Sequence, residues 1–222
     1  MEYKRILAVG DIHGEWDKFT SLYEKINFKP DEDLLIFLGD YIDRGSKPLH
    51  VLNFMYEHRN DKNMIMFRGN HEQMMIDYYA SGETDTLWLW NGGDKARKQL
   101  AKQKKGVLKD CLDFLKKLPL YYRLNYNGKD MFFCHAGINP HIPLDKQTAG
   151  DLLWIREEFY DEYDGDTLVV IGHTPVEYLD LPPKPARYRE NIMMADTGSF
   201  LKEGCISCVD VLSGKFVQSD SL

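Results

Sequence analysis

Three short apolar runs early in the chain end in the same way, and that ending constrains the fold more than any other feature. Residues 5–9 (Arg-Ile-Leu-Ala-Val) run into Gly10-Asp11-Ile12-His13-Gly14, residues 34–38 into Gly39-Asp40, and residues 64–67 into Arg68-Gly69-Asn70-His71-Glu72. Short apolar runs closed by glycine read as buried strands. Between them Trp16, Phe19, Leu22, Tyr23 and Ile26 fall at helical spacing, and Pro48, Val51, Leu52 and Met55 mark a second helix with its proline near the start. Strand and helix in alternation predict an α/β fold with a mainly parallel sheet at this end. Ligands of such sheets sit outside the carboxyl ends of the strands. Three successive strands therefore deliver acidic, amide and imidazole side chains to one edge.

The rest of the chain continues the pattern. Residues from about 74 to 118 read as mainly helical, with Leu108, Cys111, Leu112 and Leu115 as a packing stripe and Lys102, Lys104 and Lys105 on a solvated face. Asn127-Gly128 between two apolar runs signals a hairpin, and its second strand ends in His135-Ala136-Gly137. Residues 167–171 form another strand that ends in Gly172-His173. Pro182, Pro183 and Pro185 mark segment 178–190 as a loop. Residues 192–195 and 208–217 supply the last strands, turning at Ser213-Gly214. No repeat or linker interrupts the 222 residues, so one domain over 1–222 is expected.

A net charge of −7 argues against a nucleic-acid polymer as partner. It leaves a phosphorylated partner open, because bound metals and local arginines can reverse the field inside a cleft. No apolar stretch reaches membrane-spanning length, and the first apolar run is too short and wrongly flanked for a signal peptide. Cys205 and Cys208 supply half a zinc site at most and read as structural thiols. These features predict a reduced, cytoplasmic protein without a membrane partner.

Asp11, His13, Asp40, Asn70, His71, His135 and His173 are all side chains that borderline divalent ions accept. Asp11 and His13, at i and i+2 of an extended segment, would share one face. Asp40 has two oxygens and could bridge two ions, and Asn70 offers a neutral amide oxygen. A glycine-aspartate turn or a single histidine is commonplace, but their recurrence at five strand ends is not. Two ions sharing an aspartate is an arrangement that clamps both oxygens of an in-line phosphoryl displacement.

In these residues the chain resembles the calcineurin-like metallophosphoesterases, and within them the phosphoprotein phosphatase family. The resemblance rests on Gly10-Asp11-Ile12-His13-Gly14, Gly39-Asp40-Tyr41-Ile42-Asp43-Arg44-Gly45, Gly69-Asn70-His71-Glu72, His135-Ala136-Gly137 and Gly172-His173. The small bacterial and phage serine/threonine phosphatases are the most similar branch. The resemblance implies a sandwich of two mixed β-sheets flanked by helices. It implies Asp11, His13 and Asp40 on a first metal, and Asp40, Asn70, His135 and His173 on a second. It also implies direct attack by a metal-bridging hydroxide on a phosphorylated protein. His71 would be the general acid, paired with Asp43. Arg44, with Asn70 nearby, would hold phosphate, and Arg156 is the candidate for a second phosphate arginine. Manganese suits the mixed ligands, with iron and zinc as alternatives. Many metallophosphoesterases end the last motif in Gly-His-x-His; here Pro175 takes the final place, so the first metal should have fewer protein ligands. Bacterial dinucleotide hydrolases share nearly the whole pattern, including Trp90-Asn91-Gly92-Gly93. A symmetrical diadenosine tetraphosphate hydrolase is therefore the alternative. Glu72, where those hydrolases more often have aspartate, leans toward the protein phosphatase. Trp88, Trp90, Tyr78 and Tyr79 read first as core packing and second as base-stacking groups. An inactive scaffold would show damaged ligands, and none is damaged.

Overall fold

The computed structural model describes residues 2–221. Its first five-stranded sheet is built on three parallel strands, β1 (Arg5–Val9), β2 (Asp33–Phe37) and β3 (Met64–Met66). The second contains β4 (Tyr121–Tyr126), β5 (Lys129–Cys134), β6 (Leu168–Ile171), β7 (Ala186–Arg189) and β8 (Ile192–Met194). The chain returns to the first sheet as β9 (Ser207–Asp210) and β10 (Phe216–Gln218). The strand orders are β10-β9-β1-β2-β3 and β4-β5-β6-β8-β7. Each sheet contains a parallel trio, β1-β2-β3 or β5-β6-β8; antiparallel strands are added on one side of the first and on both sides of the second.

The two-residue period of a strand explains the layers. Ile6, Ala8, Leu34 and Ile36 pack against Met131, Phe133, Val170 and Met193 of the other sheet. Leu7, Val9, Leu35 and Phe37 face the opposite way, onto α1 (Trp16–Ile26), α2 (Pro48–Glu57) and α3 (Asn70–Ala80). Phe132, Val169, Ile171 and Met194 face α6 (Ala149–Trp154) and α7 (Glu157–Glu162). The result is a sandwich of two mixed sheets with helices outside both. Segment 74–118 supplies the rest of α3, a kinked turn (Leu89–Gly93, with Gly92 at φ 96), α4 (Asp94–Leu100) and α5 (Val107–Leu115). The hairpin stands on Asn127 (φ 52) and Gly128 (φ 77), the positive angles a two-residue turn needs. No helix among the described residues is long and apolar enough to cross a membrane.

One expectation is corrected. Segment 178–190 is not all loop: β7 lies within it, starting immediately after Pro185 at the open edge of its sheet. Proline marks a strand start or edge as readily as a loop.

The strand ends meet because backbone approaches backbone. A Cβ on Gly69 would lie 2.5 Å from Asp40 N, and one on Gly39 (φ +107) would lie 2.8 Å from Gly69 Cα. Glu72, wholly buried on α3, then joins the two turns. Its Oε2 accepts from Gly69 N–H and Asp40 N–H, and its Oε1 from Tyr41 N–H, all at 2.9 Å, with Ile42 N–H at 3.3 Å. Each buried donor left unpaired costs about 1–3 kcal/mol. Glu72→Ala should therefore lower unfolding free energy by about 3–5 kcal/mol in urea titration. A loss below about 1 kcal/mol would show that water satisfies these donors instead.

Candidate metal centre

Five polar side chains of the site leave the backbone in a conformation that L-residues seldom adopt. His13 (φ 49), Asp40 (φ 55), Asp43 (φ 72), Arg44 (φ 57) and His173 (φ 65) are all left-handed. Strain of this kind concentrates where function fixes a side chain's heading. It also corrects the reading of Asp11 and His13 as neighbours on an extended segment. His13 instead turns back, bringing its Nε2 to 3.7 Å from Asp11 Oδ2.

The cluster is centred on one oxygen. Asp40 Oδ2 lies 3.6 Å from His13 Nε2, 3.5 Å from His135 Nε2 and 3.9 Å from His71 Nε2. The other oxygen of Asp40 accepts from His71 N–H at 3.0 Å. Asp11 repeats the design: Oδ1 accepts from His173 N–H at 2.9 Å, and the buried Oδ2 has no hydrogen-bond partner among the described residues. His13 and His135 direct Nδ1 at the carbonyls of Ile42 (3.1 Å) and Leu38 (2.9 Å). A carbonyl fixes the Nδ1–H tautomer and leaves Nε2 as a lone pair facing inward, as metal-ligating histidines are commonly held. His135 Nε2 lies 2.9 Å from Asn70 Oδ1 and 3.1 Å from His173 Nδ1.

Two groups close enough to hold an ion result: His13, Asp40 and His71, and Asp40, His135 and His173. Asp40 belongs to both, which fits a bridge. The bridging oxygen would be Oδ2 alone, because Oδ1 is taken by the backbone. His71 enters the first group by proximity, but its Nδ1 sits 2.8 Å from Asp43 Oδ2. Asp11 lies beside that group, its unpaired Oδ2 3.7 Å from His13 Nε2, where it could take the place of His71.

Burial sets the electrostatics. It pushes the Asp11 carboxyl well above its usual range, with the Asp196 and Asp40 charges adding to the effect. It lowers His13, His135 and His173, so their rings are neutral and able to ligate. Against its own burial, Asp40 is held below the carboxylate range by His135, His71, His13 and His173. His71 behaves unlike the other three. Burial would depress it, but Asp40 and the hydrogen bond to Asp43 outweigh burial and raise it. So many buried acids and lone pairs, with Asp11 Oδ2 and His173 Nε2 unpaired, fit a site completed by cations.

Arg44 lies with its guanidinium 4.0 Å above the Phe200 ring and Nη1 2.9 Å from His13 Nε2. Arg156 is not a surface helix arginine. It sits half-buried at the break before α7, donates from Nη1 to Thr174 Oγ1, and acts on His135, His173 and Asp196 through its charge. Trp88 and Tyr78 are core, but Trp90 is 86 % exposed.

Three contributors escaped the sequence reading. Asp196, fully buried and pushed up to about 7 chiefly by burial, follows β8 as the other acids follow their strands, and that rule could have found it. Phe200 lies under Arg44 and meets His13 edge-on at 5.1 Å. Trp88 donates to Asp43 at 2.8 Å. Neither aromatic lies in a motif that announces it.

If Asp40 Oδ2 serves both ions, Asp40→Asn should weaken both together, read as metal per chain by elemental analysis after dialysis. Two tightly retained ions would place the bridge elsewhere.

Residues 4–201 match the calcineurin-like phosphoesterase family. The chain is 32 % identical over 183 residues to serine/threonine-protein phosphatase 1 of Salmonella typhimurium, covering 78 % of this chain and 80 % of that protein. It is 26 % identical over 216 residues to the asymmetrical bis(5'-nucleosyl)-tetraphosphatase PrpE of Bacillus cereus, covering 86 % and 84 %. Among solved structures, a candidate diadenosine tetraphosphatase shares the fold with a TM-score of 0.75 at 18 % identity, over 98 % of this chain and 94 % of that one. The chain is a metal-dependent phosphoester hydrolase that belongs to the calcineurin-like phosphoesterases, in their phosphoprotein phosphatase branch.

Proposed function

We propose that the protein is a serine/threonine protein phosphatase that hydrolyses phosphomonoesters in one step, with His71 as general acid. One observation carries the mechanism. His71 and Asp43 form a wholly buried pair at 2.8 Å, and the free Nε2 of His71 faces the cluster 3.9 Å from Asp40 Oδ2. Asp43 keeps the His71 proton on Nε2, and Nε2 gives it to the departing serine or threonine oxygen. Arg44 and Arg156, on the two sides of the cluster, hold phosphate oxygens through their planar forks, with Asn70 beside them.

The first ion would be held by Asp11, His13 and Asp40, and the second by Asp40, Asn70, His135 and His173. Bound there, two divalent ions supply an activated water and neutralise phosphate charge. Manganese suits the mixed oxygen and nitrogen set, and iron or zinc are the alternatives. The four free cysteines accord with a reducing, cytoplasmic setting.

The similarity to a protein phosphatase at 32 % identity supports the phosphoprotein substrate. The similarity to PrpE supports a second reading, a dinucleoside polyphosphate hydrolase. The relative behind it is named for asymmetrical cleavage, not the symmetrical cleavage that the sequence motifs suggest. Glu72 loses its weight in this choice, because it is committed to four backbone donors and faces no substrate.

With manganese, a phosphothreonine peptide should be cleaved with higher kcat/KM than diadenosine tetraphosphate, and a chelator should abolish both. A dinucleotide preference of about 100-fold, some 2.7 kcal/mol of transition-state stabilisation, would replace the substrate and keep the site. His71→Asn should retain its metal and lose about 10²–10⁴-fold in kcat on the peptide. Full turnover in that variant would remove His71 from the mechanism.

A further inference from the structure

The helical segment touches the proton-transfer pair through one side chain. Trp88 is 1 % exposed, and its Nε1–H donates to Asp43 Oδ2, the same oxygen that meets His71 Nδ1. Asp11 and Asp40 each have one oxygen held by a backbone N–H. Asp43 differs. Its hydrogen-bond partners among the described residues are the side chains of His71 and Trp88, and its Oδ1 has none. Its heading about the Cβ–Cγ bond therefore depends on the indole.

The indole in turn is fixed. The rings of Tyr78 and Tyr79 lie 5.2 and 5.8 Å from it. Gly93 leaves it room, since a Cβ there would come within 2.4 Å of the ring. The same turn reaches Arg44, whose N–H donates to Gly92 O at 3.4 Å.

We propose that Trp88 is the positioning residue for proton transfer: its indole N–H fixes the Asp43 carboxylate, and Asp43 thereby aims His71 Nε2 at the leaving oxygen. This rests on the reading of His71 as general acid. Without the N–H, Asp43 is free to turn and the His71 ring loses its fixed heading. Phosphate binding and water attack use other groups and keep their geometry. Substrates feel the loss unequally. A threonine oxygen is a poor leaving group and needs the proton, whereas p-nitrophenolate leaves without it.

The test compares kcat and KM of Trp88→Phe on a phosphothreonine peptide and on p-nitrophenyl phosphate with manganese, beside His71→Asn and the double variant. The peptide kcat should fall about 10–100-fold, within the range general acid catalysis supplies. The fall on p-nitrophenyl phosphate should be at least about tenfold smaller, with KM little changed for either. In the His71→Asn background, Trp88→Phe should add little, because both act on one proton transfer. Equal falls on the two substrates, or an undiminished fall in the His71→Asn background, would overturn the proposal and leave Trp88 a packing residue. A His71→Asn variant that treats both substrates alike would instead sink the general-acid reading beneath it.

Should Trp88→Phe not fold, benzothienylalanine at this position keeps the ring volume, replaces N–H by sulfur, and should give the same substrate ratio. A second readout needs no turnover. The indole N–H resonance of Trp88, one of four tryptophans, should move and exchange faster in Asp43→Ala. An unchanged resonance would show that the bond is not made in solution.

Discussion

Four backbone N–H groups converge on the Glu72 carboxylate, three from the turn after β2 and one from the turn before α3. The first turn carries Asp40, Asp43 and Arg44, and the second leads into Asn70 and His71 at the start of α3. One buried side chain thus sets the distance between Asp40, Arg44 and His71, the residues proposed above as bridge, phosphate arginine and general acid. The turn needs such a tie. Asp40, Asp43 and Arg44 are all left-handed, at a cost on the order of 1 kcal/mol each. Hydrogen bonds to a buried carboxylate offset this cost and allow a single arrangement.

The same economy of freedom governs the acids. Asp11 and Asp40 each give one oxygen to a backbone N–H and turn the other inward, and His13 and His135 each give Nδ1 to a carbonyl and turn Nε2 inward. Inward atoms are donors of electron pairs, almost without exception. A protein interior does not tolerate that without compensation. Divalent cations are the compensation that uses every inward atom at once. His71 is the exception that separates proton chemistry from metal chemistry. It touches the same carboxylate as its neighbours, yet Asp40 together with the hydrogen bond to Asp43 raises it while burial lowers the others.

Much of this was legible in the sequence because strand ends are local signals. Apolar runs closed by glycine gave the parallel trio of each sheet, and the polar residue next in line gave Asp11, Asp40, Asn70, His135 and His173. Asp196 obeys the same rule and could have been read with them. What could not be read depends on contacts between distant segments. Trp88 lies 45 positions from the aspartate it holds. Phe200 supports an arginine from the far end of the chain. Trp88 and Trp90 look equivalent in an aromatic-rich stretch, but in the kinked turn that begins at Leu89 one lies in the core and the other in solvent. Glu72 shows the converse. It leaned the sequence reading toward a protein phosphatase, and its side chain is a backbone tie.

Arg44, the proposed phosphate arginine, is held by parts of the fold other than the sheets. Its backbone is held by the helical segment, through Gly92 O and the Lys95 ammonium on its carbonyl at 2.7 Å. Its guanidinium rests on Phe200. The Phe200 loop is clamped in turn by the buried Lys18, which donates to Ser199 O at 2.7 Å and Gly204 O at 2.6 Å. None of these supports belongs to a strand. The candidate ligands instead follow the ends of the parallel strands, so the register of those strands sets where each one lies. The phosphate grip and the exposed rim around Trp90 stand on loops and short helices, where length and composition can change without disturbing the sheets. The candidate metal centre is thus set by where the strands end, and the proposed phosphate arginine by loops and short helices.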